Sequence, residues 1–274
     1  MTQPFLLAQL SDPHIAANGR PLPGGIDTAG MLRACVQDVL ALEQQPGAVV
    51  ITGDLTDLGS PGEYAFLRGL IAPLAMPVYL IPGNHDDRAA LREAFPDHAY
   101  LRESPDFIQY AIDSHPLRIV ALDTVIPGAS GGELCEVRLA WLDRTLAAAR
   151  DKATVVLMHH PPFRTYIEAM DAMALRDPEP LAGVIERNPQ VEAVLCGHVH
   201  RPITVRFAGT VASIAPSTAH HIALDLGVGA PLRYAMEPPA YRLHAYASGA
   251  ALVSHTAYVG EFASPPRIRR GRPG

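Results

Sequence analysis

The sequence predicts an α/β protein in which a sheet is covered by helices on both faces and is followed by a strand-rich C-terminal part. Short apolar runs alternate with helical patterns over the first 200 or so residues, which is typical of strand–helix–strand crossover units. Beyond that point, strand-like segments follow one another between Gly and Pro, without helical periodicity. The chain has 274 residues, of which 48% are hydrophobic, and this is enough apolar material for a sizeable core.

Six apolar runs in the first part have the length and composition of buried strands. A polar or glycine-containing turn follows most of them, at the end where open α/β sheets place their ligands. The predicted strands are Phe5–Leu10, Ala48–Thr52, Pro77–Ile81, Arg118–Leu122, Thr154–Met158 and Val191–Cys196.

Two of the intervening segments have the spacing of amphipathic helices. The first begins at a cap provided by Asp27 or Thr28, and its apolar face carries Met31, Cys35, Val39 and Leu42. The second precedes the fifth strand and carries Leu139, Leu142, Leu146 and Ala149.

The C-terminal part predicts an antiparallel or mixed arrangement, with strands at Ile203–Phe207, Val211–Ile214 and Tyr241–Tyr246. Two loops are unusually long, Ile15–Ile26 and Phe163–Asp177, and loops of that length often carry function. We expect one domain over residues 1–262.

The charge of the chain excludes some classes of partner. A formal net charge of −6 argues against a nucleic-acid polymer, which would need a basic surface. The basic run in residues 263–274 lies beside Pro and Gly, and we expect a disordered tail there. The apolar start is too short for a signal peptide or a membrane span. Three scattered cysteines do not form a disulfide scaffold. We therefore expect a soluble, cytoplasmic protein with no membrane partner.

Polar clusters follow five of the predicted strands, and they contain six of the twelve histidines. Imidazoles and carboxylates without a well-placed thiolate suit Zn, Mn, Fe or Co. Each cluster alone is a weak signal, but their common position at strand ends favours a metal site. The clusters are Asp12-Pro13-His14, Gly53-Asp54-Leu55-Thr56-Asp57, Gly83-Asn84-His85-Asp86, His159-His160-Pro161-Pro162 and Gly197-His198-Val199-His200.

In this order, the clusters resemble the signature of calcineurin-like metallophosphoesterases: D-x-H, G-D-x-x-D, G-N-H-D, a histidine block and G-H-x-H. The chain is most similar to the bacterial glycerophosphodiesterases and class III cyclic-nucleotide phosphodiesterases of that family. Tyr79–Asp87 and Met158–Pro162 carry this similarity, and Pro216–His220 extends it more loosely. The resemblance implies a four-layer sandwich of two mixed sheets flanked by helices. Residues from about 201 onward would complete the second sheet and form a small cap or dimer element.

The resemblance also implies two divalent metal ions, each Fe, Mn, Zn or Co. One ligand set is Asp12, His14, Asp54 and His200; the other is Asp54, Asn84, His159 and His198, with Asp54 bridging the two. His159 is preferred to His160 because the family pattern is His-x-Pro, which leaves His160 beside the ligands or the substrate.

The expected reaction is hydrolysis of small phosphodiesters, glycerophosphodiesters or cyclic nucleotides, by in-line attack of a hydroxide that bridges the two ions. Asp54 and His85 are the expected catalytic residues, with His85 stabilising charge or protonating the leaving alkoxide and Asp86 orienting it. Asp57 would hold a hydrogen bond beside the site or cap the next helix. His220 and His255 would approach the site or a subunit partner.

Two alternatives remain open at this stage. The same fold also supports a phosphomonoesterase, which relative rates on matched monoesters and diesters would distinguish. A non-catalytic metal-binding regulatory protein is the other alternative, although the chain keeps every expected ligand. The oligomeric state is left open, with a homo-oligomer (dimer or higher) allowed.

Overall fold

The computed structural model describes residues 3–262, so the predicted tail lies outside the described residues. The strands are β1 (Phe5–Leu10), β2 (Ala48–Thr52), β3 (Val78–Ile81), β4 (Tyr110–Ile112), β5 (Arg118–Ala121), β6 (Thr154–Leu157), β7 (Val191–Cys196), β8 (Ile203–Phe207), β9 (Thr210–Ile214), β10 (His221–Ile222), β11 (Tyr234–Ala235), β12 (Ala240–Tyr246) and β13 (Val253–Tyr258). The helices are α1 (Thr28–Ala41), α2 (Pro61–Ile71), α3 (Arg88–Ala94), α4 (Glu136–Ala147), α5 (Glu168–Asp171) and α6 (Glu179–Glu186).

Two large mixed sheets form the centre of the molecule. The first has five strands in the order β13-β12-β1-β2-β3, and the second has six in the order β4-β5-β6-β7-β9-β8. Strands β1, β2 and β3 are parallel to one another, as are β5, β6, β7 and β9. The predicted two-sheet architecture is confirmed.

Alternating side chains of the second sheet show how the layers pack. In β5, Ile119 and Ala121 belong to the core shared with the first sheet, whereas Val120 and the following Leu122 pack in the core that contains α4 and α6. This period of two is what a strand buried on both faces requires. On the other side, α1 and α2 cover the first sheet.

Helix α1 begins as its sequence predicts. The Asp27 side chain accepts a hydrogen bond from the backbone N–H of Gly30 at 2.8 Å, which caps the first turn. Of the residues predicted for its apolar face, Cys35 and Val39 are buried. Leu32 and Val36 are buried as well.

The C-terminal part differs from expectation in one respect. Strands β8 and β9 complete the second sheet, but β12 and β13 join the first sheet, where β12 pairs antiparallel with β1. The pairing gives β1 a second hydrogen-bonded neighbour and leaves β13 at the edge. The short hairpin β10–β11 stands outside both sheets. Within residues 3–262, no helix combines the length and apolar character needed to cross a bilayer.

Candidate functional site

The sequence-predicted ligands come together at one edge of the sandwich. Parallel strands end at the same edge of their sheet, and the polar turns after β1, β2, β3, β6 and β7 therefore converge. Six of the residues brought there are buried: Asp12, His14, Asp54, His159, His198 and His200.

Backbone hydrogen bonds join neighbouring turns within each sheet, and a side-chain hydrogen bond joins the two sheets. The Asp12 N–H donates to the carbonyl of Gly53 at 3.1 Å, and the Gly197 N–H donates to the carbonyl of His159 at 3.0 Å. Between the sheets, His159 Nδ1 lies 2.8 Å from the Thr52 carbonyl oxygen, which can only accept, so Nδ1 carries the proton. The two halves of the site are thus fixed to one frame.

Several of these residues have left-handed backbone conformations, which residues other than Gly seldom adopt. Their φ angles are 51° at Asp12, 43° at His14, 46° at Asp54, 74° at His198 and 57° at His200. Such conformations are disfavoured and persist where the surrounding structure enforces them, which is common at functional sites.

Two glycines allow the close approach that this arrangement needs. Gly53 has φ of 88°, and a Cβ there would overlap the His159 ring. A Cβ on Gly83 would overlap the Asp54 carboxylate. Glycine at both positions therefore lets the backbone pass directly behind the candidate ligands.

The first predicted ligand set forms one compact cluster. Asp12, His14, Asp54 and His200 each offer a ligand atom, and these atoms all lie within 4.8 Å of one another. His14 Nε2 is 3.1 Å from His200 Nε2 and 3.5 Å from Asp54 Oδ2. Because His200 Nδ1 points at the His220 carbonyl, at 2.9 Å, its Nε2 presents a lone pair to the cluster.

The second predicted set shares Asp54 with the first. His159 Nε2 lies 3.3 Å from Asp54 Oδ1 and 3.2 Å from Asn84 Oδ1. The His198 ring centroid is 5.1 Å from that of His159, and its buried Nε2 has no hydrogen-bond partner among the described residues. Each oxygen of the Asp54 carboxylate therefore faces a different group of imidazoles.

These donors suit divalent cations. The carboxylate oxygens of Asp12 and Asp54 and the Nε2 lone pair of His200 lie close together, which is unfavourable unless a positive charge lies between them. Burial disfavours the charged form of His159, but Asp54 and Asp12 outweigh this effect and raise its pKa to about 9. Burial raises the pKa of the Asp12 carboxyl to about 7, so a cation would favour its charged form.

His160 lies beside the proposed ligands His159 and His198, with potential ligand atoms of the three residues within 4.8 Å of one another, but its ring nitrogens have other partners. Its Nδ1 lies 2.8 Å from Thr124 Oγ1, and its Nε2 lies 3.2 Å from the Ser130 carbonyl. Both ring nitrogens thus have partners in the segment that follows β5, whereas Nε2 of His159 faces Asp54. This arrangement favours His159 as the ligand.

His85 lines the site, but its orientation differs from expectation. Its Nδ1 donates to the Asp57 carbonyl at 2.7 Å, rather than to the Asp86 carboxylate. Burial lowers the pKa of His85, but Asp54 and the Asp57 carbonyl outweigh it, and the net shift is upward.

Asp57 does not cap the helix that follows it. Helix α2 is capped by Ser60 together with Glu63.

The Asp86 carboxylate instead joins two ligand-bearing turns. It accepts hydrogen bonds from the backbone N–H groups of Gly83, Leu55 and Thr56, at 2.8, 3.0 and 3.2 Å. The Tyr64 hydroxyl donates to it as well, at 2.9 Å. A short acidic side chain satisfies these otherwise orphaned N–H groups better than it could reach its sequence neighbour.

The remaining candidate histidines divide into two groups. His220 lies beside the first cluster, with its ring centroid 4.8 Å from that of His200 and 4.4 Å from that of Tyr234. His255 lies on edge strand β13, opposite Leu243 and exposed to solvent. This position does not agree with an approach of His255 to the site, and a contact with a subunit partner stays a prediction.

A cavity of about 420 Å³ opens over the cluster. Its polar end includes His14, Asp54, Asn84 and His85, and the rest of its wall is mostly apolar. The apolar wall comes from both long loops and from the hairpin β10–β11, through Leu22, Pro23, Ile26, Met170, Met173, Ile222, Leu232 and Tyr234.

Some residues of the site carried no usable sequence signal. Ser11 donates to the Asp12 carboxylate at 2.5 Å, and Ser217 donates to the Asp12 carbonyl at 2.9 Å. Leu22 and Tyr234 form walls of the cavity from segments without periodicity. Only the position of Ser11 directly before Asp12 could have suggested its role.

Comparison with known proteins identifies the chain's relatives. Residues 5–202 match the calcineurin-like phosphoesterase family. The chain is 36% identical over 262 residues to a probable glycerophosphodiester phosphodiesterase from Arcobacter nitrofigilis, covering 95% of this chain and 96% of the relative. It is 34% identical to a cAMP/cGMP dual specificity phosphodiesterase from Mycobacterium tuberculosis, over 82% of this chain and 71% of that protein.

Solved structures support the fold. A dimetal phosphatase from Danio rerio superposes with a TM-score of 0.65, covering 94% of this chain and 100% of that one. The two sequences are 15% identical, so this likeness concerns the architecture alone.

Proposed function

The chain belongs to the calcineurin-like phosphoesterase family, and on that premise we propose that it is a metal-dependent phosphodiesterase acting on small diesters. The observation that carries this proposal is the Asp54 carboxylate. Its Oδ2 faces His14 at 3.5 Å and its Oδ1 faces His159 at 3.3 Å, so one side chain can serve two cation sites.

The proposed first site consists of Asp12, His14, Asp54 and His200, and the second of Asp54, Asn84, His159 and His198. Two divalent ions held there would supply Lewis-acid polarisation of the phosphoryl group and acidify water. Nitrogen and oxygen donors without a thiolate favour Fe, Mn, Zn or Co.

His85 is the proposed proton donor. Its Nδ1 proton is committed to the Asp57 carbonyl, so the orientation of the ring is fixed and Nε2 is the nitrogen that can exchange a proton. The upward shift of its pKa favours the imidazolium, which can stabilise negative charge or protonate the departing alkoxide oxygen.

The cavity wall supports a diester rather than a monoester. A phosphodiester has a second organic substituent, and the apolar side chains of Leu22, Met173 and Tyr234 offer a surface that can exclude water around it. The named relatives act on glycerophosphodiesters or cyclic nucleotides, and both are candidate substrates for this chain.

Hydrolysis of bis(p-nitrophenyl) phosphate and p-nitrophenyl phosphate by the Mn²⁺- or Co²⁺-loaded protein tests the proposal. A phosphodiesterase hydrolyses the diester with the higher kcat/KM. A preference for the monoester would support the phosphomonoesterase alternative instead. No turnover of either compound by metal-loaded protein would contradict both.

A further inference from the structure

A chain of hydrogen bonds leads from the edge strand β13 to the proposed ligand Asp12. At its outer end, exposed Ser254 lies opposite His244 in the sheet, with Ser254 Oγ 2.7 Å from His244 Nδ1. His244 Nε2 lies 3.1 Å from Gln9 Oε1. The chain then passes inward through fully buried side chains: Gln9, Thr52, Ser11 and Asp12.

One backbone carbonyl fixes the direction of the outer hydrogen bonds. Gln9 Nε2 lies 3.0 Å from the carbonyl oxygen of Cys196, which can only accept, so the amide nitrogen must face it. Gln9 Oε1 is then the atom that faces His244, and His244 Nε2 must carry the proton. The opposite nitrogen, Nδ1, accepts the hydroxyl proton of Ser254.

The inner half runs in the same direction. Gln9 Nε2 donates to Thr52 Oγ1 at 3.1 Å, and Thr52 Oγ1 donates to Ser11 Oγ at 2.7 Å. Ser11 donates to Asp12 Oδ2 at 2.5 Å. Every hydroxyl, ring and amide group in this chain therefore donates toward the carboxylate, and hydrogen bonds aligned in this way strengthen one another.

The Asp12 carboxylate thus has two differently engaged oxygens. Oδ2 is held by Ser11 at the end of the chain, whereas Oδ1 accepts from the His198 N–H at 2.9 Å and lies 3.5 Å from His200 Nε2. Holding Oδ2 fixes the rotation of the carboxylate and keeps Oδ1 on the side of the imidazoles. Partners behind a ligand commonly orient it and tune its affinity for the metal.

We propose that His244 is a positioning residue for the metal site, because it completes the aligned chain of donors that holds Asp12. An apolar side chain would suit this fully buried place in β12 better if packing were its only purpose. The inference rests on the proposed role of Asp12 as a ligand. It assigns His244 no contact with the substrate.

The test is a Co²⁺ titration of the full-length, metal-stripped protein. Binding is monitored through the visible absorption of bound Co²⁺. We expect His244→Leu to weaken the apparent Co²⁺ affinity by about three- to tenfold, the low end of what such partners contribute. His244→Gln keeps an amide donor toward Gln9, and its affinity is expected to stay within about twofold of the wild type.

The matched control is His115→Leu. It removes the hydrogen bond between His115 and Tyr79 and leaves every hydrogen bond between Ser254 and Asp12 in place. It is expected to change thermal stability but not Co²⁺ affinity. If His244→Leu does not fold, the surface change Ser254→Ala gives the same test, with an expected loss of at least about threefold, and an affinity within about twofold of the wild type would contradict the inference.

Two outcomes would count against the inference in distinguishable ways. If His244→Leu binds Co²⁺ as tightly as the wild type does while its melting temperature falls, His244 has only a structural role. If the wild-type protein itself binds no Co²⁺, the proposed function is overturned, and this inference falls with it.

Discussion

The Nδ1 atom of His85 lies 2.7 Å from the carbonyl oxygen of Asp57, so the backbone, and not a carboxylate, orients this ring. The carbonyl belongs to the turn after β2, while His85 follows β3. One hydrogen bond therefore ties the proposed proton donor to the turn that carries Asp54. Nε2 remains available for chemistry.

His85→Ala should lower kcat for bis(p-nitrophenyl) phosphate by about 10²- to 10⁴-fold, the usual contribution of a general acid. Metal content should stay close to that of the wild type, because His85 is not among the proposed ligands. Metal analysis and steady-state kinetics on the same sample test this division of roles, which a large loss of metal would contradict.

Asp57→Asn is the matched variant, because it keeps the backbone carbonyl that orients His85. We expect kcat to fall by less than about tenfold, since the change removes a negative charge near His85 and 3.9 Å from His14 Nδ1 but keeps the hydrogen bond that orients His85. A loss as large as that of His85→Ala would mean that the carboxylate, and not the carbonyl, is the essential group.

Asp86→Ala should destabilise the fold strongly, because it leaves several buried N–H groups without an acceptor. Each unsatisfied donor costs about 1–3 kcal/mol, so the loss should be at least about 3 kcal/mol in urea unfolding. Tyr64→Phe removes one donor to Asp86 and also the hydroxyl that accepts from the Asp87 N–H, and it should cost about 1–2 kcal/mol. Equal losses in the two variants would argue against the role of Asp86 in joining the turns.

The apolar cavity wall predicts an effect on substrate affinity. Leu22→Ala or Tyr234→Ala should raise KM for bis(p-nitrophenyl) phosphate by about three- to tenfold, because apolar contact with the substituent is lost. Leu224→Ala, an exposed position near the same hairpin, serves as the control and should leave KM unchanged. An unchanged KM in both Leu22→Ala and Tyr234→Ala would place the organic substituent of the substrate elsewhere.

The pH dependence of the unfolding free energy should depend on the protonation of His244. Burial and the nearby Arg242 lower its pKa from 6.5 to about 3, so the unfolded chain binds a proton between these values and the folded protein does not. Unfolding free energy therefore falls as pH decreases below about 6.5, by up to about 1.4 kcal/mol per pH unit.

Urea unfolding of metal-free wild type and His244→Gln at pH 7 and pH 5 isolates this contribution. The wild type should lose about 2 kcal/mol more than the variant does between these two pH values. Parallel losses in both proteins would show that His244 has no such effect.

Local patterns predicted the elements that form from local sequence. The bounds of β1, β2 and β7 agree with their apolar runs, and the Asp27 cap was identified as one of two candidates. These features depend on apolar burial and on capping within a few residues, both of which are visible in sequence.

Features that depend on distant partners were not predicted. The pairing of β12 with β1 joins residues more than two hundred positions apart, and nothing in either strand specifies which sheet β12 enters. The acceptor for His85 is a backbone carbonyl, which has no sequence signature. Asp86, as the neighbour of His85, suggested a local contact, but the N–H groups of two turns compete for it.

The shared Asp54 carboxylate is tested most directly by the metal content of wild-type protein and Asp54→Ala after reconstitution with Mn²⁺ or Co²⁺, measured by elemental analysis. Because Asp54 faces imidazoles of both proposed sites, we expect about two ions per chain in the wild type and the loss of at least one in the variant. Hydrolysis of bis(p-nitrophenyl) phosphate should fall in parallel. An Asp54→Ala variant that retained both ions and wild-type turnover would contradict the shared-carboxylate site.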